Sequence, residues 1–230
     1  MSRGTQLIQL LSMLRAEAGQ SMKVSVGVDA EGGFKHLLAR TQESLYDDYD
    51  WPFMRVLPTK ALSAGQRYYD LPADLNMERI ESVVVWDSGS PCPLTRGIDW
   101  PDYAQHNSDG GERADPALKW DIRHTGTKEQ IEIWPVPASN DMTLQFKGIK
   151  KLNPLIANDD TAELDDLMIT LFAASEILAR QKSEDAGAKL AAAKDRRAIM
   201  RGRTKGGSAT VVMNGGEQQS QRGRTVIRVS

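Results

Sequence analysis

The hydrophobic period changes twice along these 230 residues, and that change limits the fold more than any other feature of the chain. Near both ends apolar residues recur at three- and four-residue steps, as one face of a helix requires. In between they mostly alternate, as a half-buried strand requires. Leu7, Leu10, Leu11, Leu14 and Ala18 make the first helical stripe, with Thr5 near its start and Gly19 as a stop, and they predict a helix over 5–18. Phe34, Leu37, Leu38, Thr41 and Leu45 predict a second helix over 31–48. Each has one apolar stripe and must bury it against something else.

From Trp51 to Leu152 the runs FMRVLPTKAL, GQRYYDLP, RIESVVVWD, PCPLTR, ALKWDIRH, EQIEIWPVP and MTLQFKGIKKL read as short strands. Ser88-Gly89-Ser90 and Thr125-Gly126-Thr127 separate alternating runs and predict antiparallel hairpins. Within DWPDYAQHN, Asp99 is placed to cap one short helix whose Pro101 falls in the first turn. Helical spacing returns at Asp160-Thr161-Ala162-Glu163, which has the form of a capping box with an Asp cap. Leu164, Leu167, Met168, Leu171, Ser175 and Leu178 follow as a stripe, then the Ala-rich, basic AGAKLAAAKDRRAIMRGR. Unless Gly187 interrupts it, 162–203 becomes one helix of about 40 residues and about 60 Å.

The pattern predicts an α+β protein. Two N-terminal helices and one long C-terminal helix form a helical layer, an antiparallel β region is inserted between them, and an extended C-terminal arm follows. The expected units are 1–50, 51–152, 153–203 packed with 1–50, and 204–230. Hydrophobic residues at 40% and charged residues at 26% fit a folded soluble chain. No apolar run reaches spanning length and the first residues lack a signal-peptide core, which predicts no membrane partner and no export. The single Cys92 excludes an internal disulfide and a multi-thiolate zinc site, and fits a reducing compartment.

Charge is unevenly spread. From Lys194 onward nine cations stand against two carboxylates, a net of +7, which leaves −9 on the preceding 193 residues. The final stretch has two glycine pairs and two β-prone runs, Ala209 to Met213 and Thr225 to Val229, with no core of its own. We expect a neighbouring molecule to hold it. Val211, Val212, Val226 and Ile227 would serve strand addition, and Arg196, Arg197, Arg201, Arg203, Lys205, Arg222, Arg224 and Arg228 would pair with acidic groups.

Chemistry is sparse. His36, His106 and His124 are isolated, so no metal site and no cofactor are predicted. Asp47-Asp48 with Asp50, Asp159-Asp160 and Asp165-Asp166 could hold Mg²⁺ or work as acid and base. The latter two groups lie where a helix N-terminus welcomes carboxylates; the first lies at a helix end, where the dipole opposes them. No phosphate loop, dinucleotide fingerprint or nucleophile elbow occurs, and Gly32-Gly33, Gly110-Gly111, Gly206-Gly207 and Gly215-Gly216 read as connectors. Trp51, Trp86, Trp100, Trp120 and Trp134 fall mainly in the β region, and burial is their expected role.

The order of parts, with LLARTQESLYDDYDWPFM closing the second helix and GQRYYDLPADLNMERIESVVV opening the β region, resembles the head-to-tail adaptor proteins of short-tailed bacteriophages, the tail tubular protein A type. The resemblance implies a structural virion protein and not an enzyme. Its subunits form a ring, of twelve copies in family members, docked beneath the portal protein, with a C-terminal extension reaching into the portal ring. It further implies a downstream tail (nozzle) protein as partner, DNA passing through the lumen without sequence-specific binding, synthesis in the host cytoplasm and residence at the portal vertex. Two alternatives stay open: a nucleic-acid-binding module acting through the basic end, and a carboxylate-dependent hydrolase.

Overall fold

The computed structural model describes residues 3–21 and 28–204. Among them are five α-helices and an eight-stranded curled sheet of mixed direction. The first helix, α1 (Leu7–Glu17), buries Leu7, Leu10, Leu11 and Leu14, the residues of its predicted stripe. It stops where Gly19 takes φ 64° and the Gln20 amide reaches back to the Arg15 carbonyl at 2.8 Å, a closure that favours glycine. The second, α2 (Val28–Asp47), starts before Gly32-Gly33, so this pair sits inside a helix instead of connecting elements.

The chain then passes a short 3-10 turn at Pro52–Met54 into β1 (Arg55–Val56), β2 (Thr59–Ala61), β3 (Tyr68–Asp70), β4 (Leu75–Asp87) and β5 (Ser90–Arg96). The short helix α3 (Trp100–Gln105) follows Asp99 as predicted; the Asp102 carboxylate accepts from the Asp99 amide at 2.8 Å. Then come β6 (Lys119–His124), β7 (Glu129–Trp134) and β8 (Met142–Lys150). Strand order is β1-β8-β4-β5-β6-β7-β3, with β2 also on β8. Both expected hairpins form, β4–β5 and β6–β7. The first turns at Ser88 (φ 48°) and Gly89 (φ 83°), the paired positive φ angles that match strand twist. A wholly antiparallel sheet is not what forms, however: β5 and β6 run parallel, Thr95 beside Lys119 and Arg96 beside Trp120. The 22 residues between them include α3 and carry the chain back to the start of the same edge.

The single long C-terminal helix is also corrected. It is two helices, α4 (Asp166–Arg180) and α5 (Asp185–Thr204), and α5 turns back along α4. The break lies at Lys182 (φ 55°), five residues before the suspected Gly187. Ser183 donates to the Leu178 carbonyl and Lys182 to the Ala179 carbonyl, both at 3.0 Å, which closes α4 without a glycine. Nor does the proposed capping box start α4. Asp165 is the cap, accepting from the Met168 amide at 3.0 Å, whereas Asp160 closes a turn upstream and Glu163 reaches Lys150 and Asn153.

The helices bury one apolar cluster, from Leu10, Leu38, Trp51 and Leu164 to Met200, and the sheet buries another, including Tyr69, Val85, Trp120 and Phe146. Tyr46 bridges them, donating to the Lys150 carbonyl at 2.9 Å and accepting from Asn76 at 2.8 Å. The N-terminal segment is laced to the approach of α4: Gly4 donates to Ala162 and Leu7 to Asp160, each at 2.8 Å.

Candidate assembly interface

The helix α5 carries the first of the predicted partner-binding residues, and the structure places them against the chain's own body. Ala193 and Met200 are buried, which aligns one face of α5 on α4. On that face Arg196 donates to Asp165 twice, from Nε at 3.0 Å and Nη2 at 2.7 Å. The Asp165 bond pushes the Arg196 guanidinium further up against the opposing effect of burial. Asp165 is fully buried and also caps α4, so one carboxylate starts one helix and holds another.

The next residue, Arg197, reaches Asp48 Oδ2 from Nη1 at 2.8 Å, and Arg201, one turn further, reaches the same oxygen. Earlier in α5, Lys189 pairs with Glu17 of α1 at 2.6 Å. The helix is thereby fixed to α1, α2 and α4, with Arg201 meeting the C-terminal end of α2 at Asp48. Arg203 lies in the last turn of α5. Lys205, Val211, Val212, Arg222, Arg224, Val226, Ile227 and Arg228 lie outside the described residues.

The acidic cluster that the dipole of α2 should oppose is accounted for by two of these arginines together with Arg79. Arg79 of β4 donates to the carbonyls of Tyr46 (2.6 Å) and Asp47 (3.0 Å), satisfying two terminal acceptors of α2. Its guanidinium also lies 3.6 Å from the Asp47 carboxylate and 3.7 Å from that of Asp50. With Arg197 and Arg201 on Asp48, arginines from two other elements answer three carboxylates and the helix terminus together. Among the described residues no group of three or more His, Cys, Asp or Glu is disposed to hold a metal ion.

A second concentration of side chains lies on the outer face of the sheet. The register puts Glu132 and Trp134 of β7, Arg123 of β6 and Tyr68 of β3 on that face, opposite the core residues Ile131, Ile133 and Tyr69. The helix α3 covers its Trp134 end, where Tyr103 meets the indole edge-on at 5.0 Å. Between them is an open cleft of about 510 Å³. Arg67 lies 4.8 Å from the ring centres of both Tyr103 and Trp134 and donates from Nε to Glu132 at 2.7 Å. Burial pulls that guanidinium down, but the hydrogen bond and charge of Glu132 outweigh it and leave it raised. Burial first, then the acidic partner Glu132, push the Tyr103 phenol up. Burial, expected for all five tryptophans, holds for Trp51, Trp120 and Trp134 and fails for Trp100, which is 82% exposed at the cleft, and for Trp86. Periodicity could not reveal this cluster. Only the pairing of β3, β6 and β7 brings Arg67, Arg123 and Tyr103 to one place, and the sequence signal was limited to the aromatic DWPDY run.

No curated protein matches this chain. A family model described as SU10 adaptor protein matches residues 5–216, through the helical layer, the whole sheet and both C-terminal helices. The match agrees with the resemblance to phage head-to-tail adaptors carried by LYDDYDWPFM and YYDLPADL, and on its extent the chain belongs to the SU10 adaptor protein family.

Proposed function

We propose that this chain is the structural subunit of a ring joining the portal vertex of a phage head to its tail, with DNA passing through the channel. The observation that carries the reading is the family match over residues 5–216. The geometry of α5 supports it: Arg196, Arg197 and Arg201 hold the helix on the body, so the 26 residues after Thr204 start from a fixed root. Those residues carry Lys205, Arg222, Arg224 and Arg228 against Glu217. They are the arm that engages the portal protein, by strand addition or by ion pairing. The downstream face receives the next tail protein. Twelve copies close the ring, and the body, net −5 over residues 1–204, lines a channel that does not retain phosphate.

The test is removal of 205–230. The expected result is a folded protein that no longer co-elutes with portal protein on size exclusion. Undiminished portal binding by the truncated chain would overturn the assignment of the arm. DNA binding that weakens steeply with salt and vanishes in the same truncation would favour a nucleic-acid-binding module instead.

A further inference from the structure

We infer that the cleft at Trp100 and Arg123 receives the loop Ile156–Asp159 of a second copy of this chain, a head-to-tail contact between unlike surfaces. The inference rests on the ring-forming reading above and adds to it the pair of surfaces that meet.

The cleft has one unspent cation and one uncovered ring. Glu132 is occupied by Arg67 and by the Tyr103 hydroxyl, which donates to it at 2.9 Å. Asp121, on the same face as Arg123, turns its carboxylate to the Ile122 amide at 2.8 Å. Arg123 is exposed, stacks 4.3 Å from the centre of Tyr68 and has no ion pair among the described residues. Trp100, 82% exposed, lines the same cleft. A ligand that fits presents an apolar side chain and an anion to one cleft. A phosphate backbone would meet the repulsion of a body whose residues 1–204 carry a net −5.

The chain itself offers that combination. Ile156 is 75% exposed while its neighbour Leu155 is buried in the helical core. Asp160 fixes the projection by accepting from the Ile156 amide at 2.7 Å and the Ala157 amide at 2.6 Å. Asp159 is exposed and has no cation partner among the described residues. By contrast, the acidic corner at Asp47, Asp48 and Asp50 is already answered by arginines. The two surfaces belong to different parts of the fold, the cleft to β3, β6, β7 and α3, and the loop to the segment between β8 and α4. Such a pairing of unlike patches propagates around a ring instead of stopping at a dimer.

Sedimentation of the full-length chain over rising concentration tests this. Wild type is expected to associate beyond a dimer. Trp100→Ala, Arg123→Glu, Ile156→Ser and Asp159→Arg should each weaken association by about tenfold or more, and Arg123→Glu with Asp159→Arg in one chain should recover most of the loss. A mixture of Trp100→Ala with Ile156→Ser should stop at a one-to-one pair, because only one sound contact remains. A wild type that stays monomeric, association indifferent to all four changes, or a mixture that forms no pair would each overturn the contact. So would a single-stranded oligonucleotide that binds wild type and not Trp100→Ala. Portal binding separates the two levels. If portal protein recruits wild type and these variants in equal number, the adaptor role stands and this contact falls. If it recruits no wild type, the adaptor role itself falls.

Discussion

Asp48 Oδ2 accepts a hydrogen bond from Arg197 Nη1 at 2.8 Å across 149 residues of chain, and Arg201 shares the same oxygen. The end of α2 therefore holds the last two turns of α5. Asp48→Asn should lower stability by only about 1 kcal/mol, as for a partly exposed pair. Amide hydrogen exchange should nevertheless speed up from Arg197 to Thr204 and stay unchanged near the buried Ala193.

The buried pair behind it is worth more. Asp165 has no solvent to turn to, so Arg196→Met leaves an uncompensated buried charge and should cost about 3–5 kcal/mol. Adding Asp165→Asn to Arg196→Met should recover a large part of that loss. Urea midpoints at constant slope measure both.

Gly148 of β8 faces the irregular stretch of β4, where register shifts between Leu75 and Ile80. A Cβ there would lie 2.8 Å from the Arg79 carbonyl oxygen and 2.8 Å from Leu75 Cδ1. Gly148→Ala should destabilise the protein by about 1–3 kcal/mol through overpacking, read as a lower melting temperature.

Glu176 of α4 is held below the ordinary carboxylate value, chiefly by the hydrogen bond from Arg40, with Arg180 adding to it and burial opposing. A depressed folded value means that the stabilisation is whole above the unfolded value of about 4.3 and is lost as pH falls through the folded one. Glu176→Gln should therefore melt below wild type at pH 7, and the two melting curves should converge towards pH 3.

Local chemistry was readable in the chain and long-range chemistry was not. The stripe of α1, its stop at Gly19 and the Ser88-Gly89 turn each depend on a few adjacent residues, and each formed where the sequence placed it. The break at Lys182 escaped because Gln181 to Asp185 are acceptable in a helix, so no breaker residue announced it. The parallel β5–β6 pair escaped because partners 24 residues apart leave no periodic trace. The arginines of α5 looked free for a partner only because Asp48 and Asp165 are about 150 and 30 residues away. The resemblance over the helix end and strand start was legible, and it identified the family where residue chemistry gave no site.

The lacing of Gly4 and Leu7 to Ala162 and Asp160 bears on how the chain is made. At about 5–20 residues per second a ribosome needs about 8–30 s to travel from the first contact to the second. Throughout that interval Leu7, Leu10, Leu11 and Leu14 have no α4 to lie against. The leading helix must wait for nearly the last one, and nascent copies on one messenger carry that greasy stripe uncovered, within reach of chaperones and of each other.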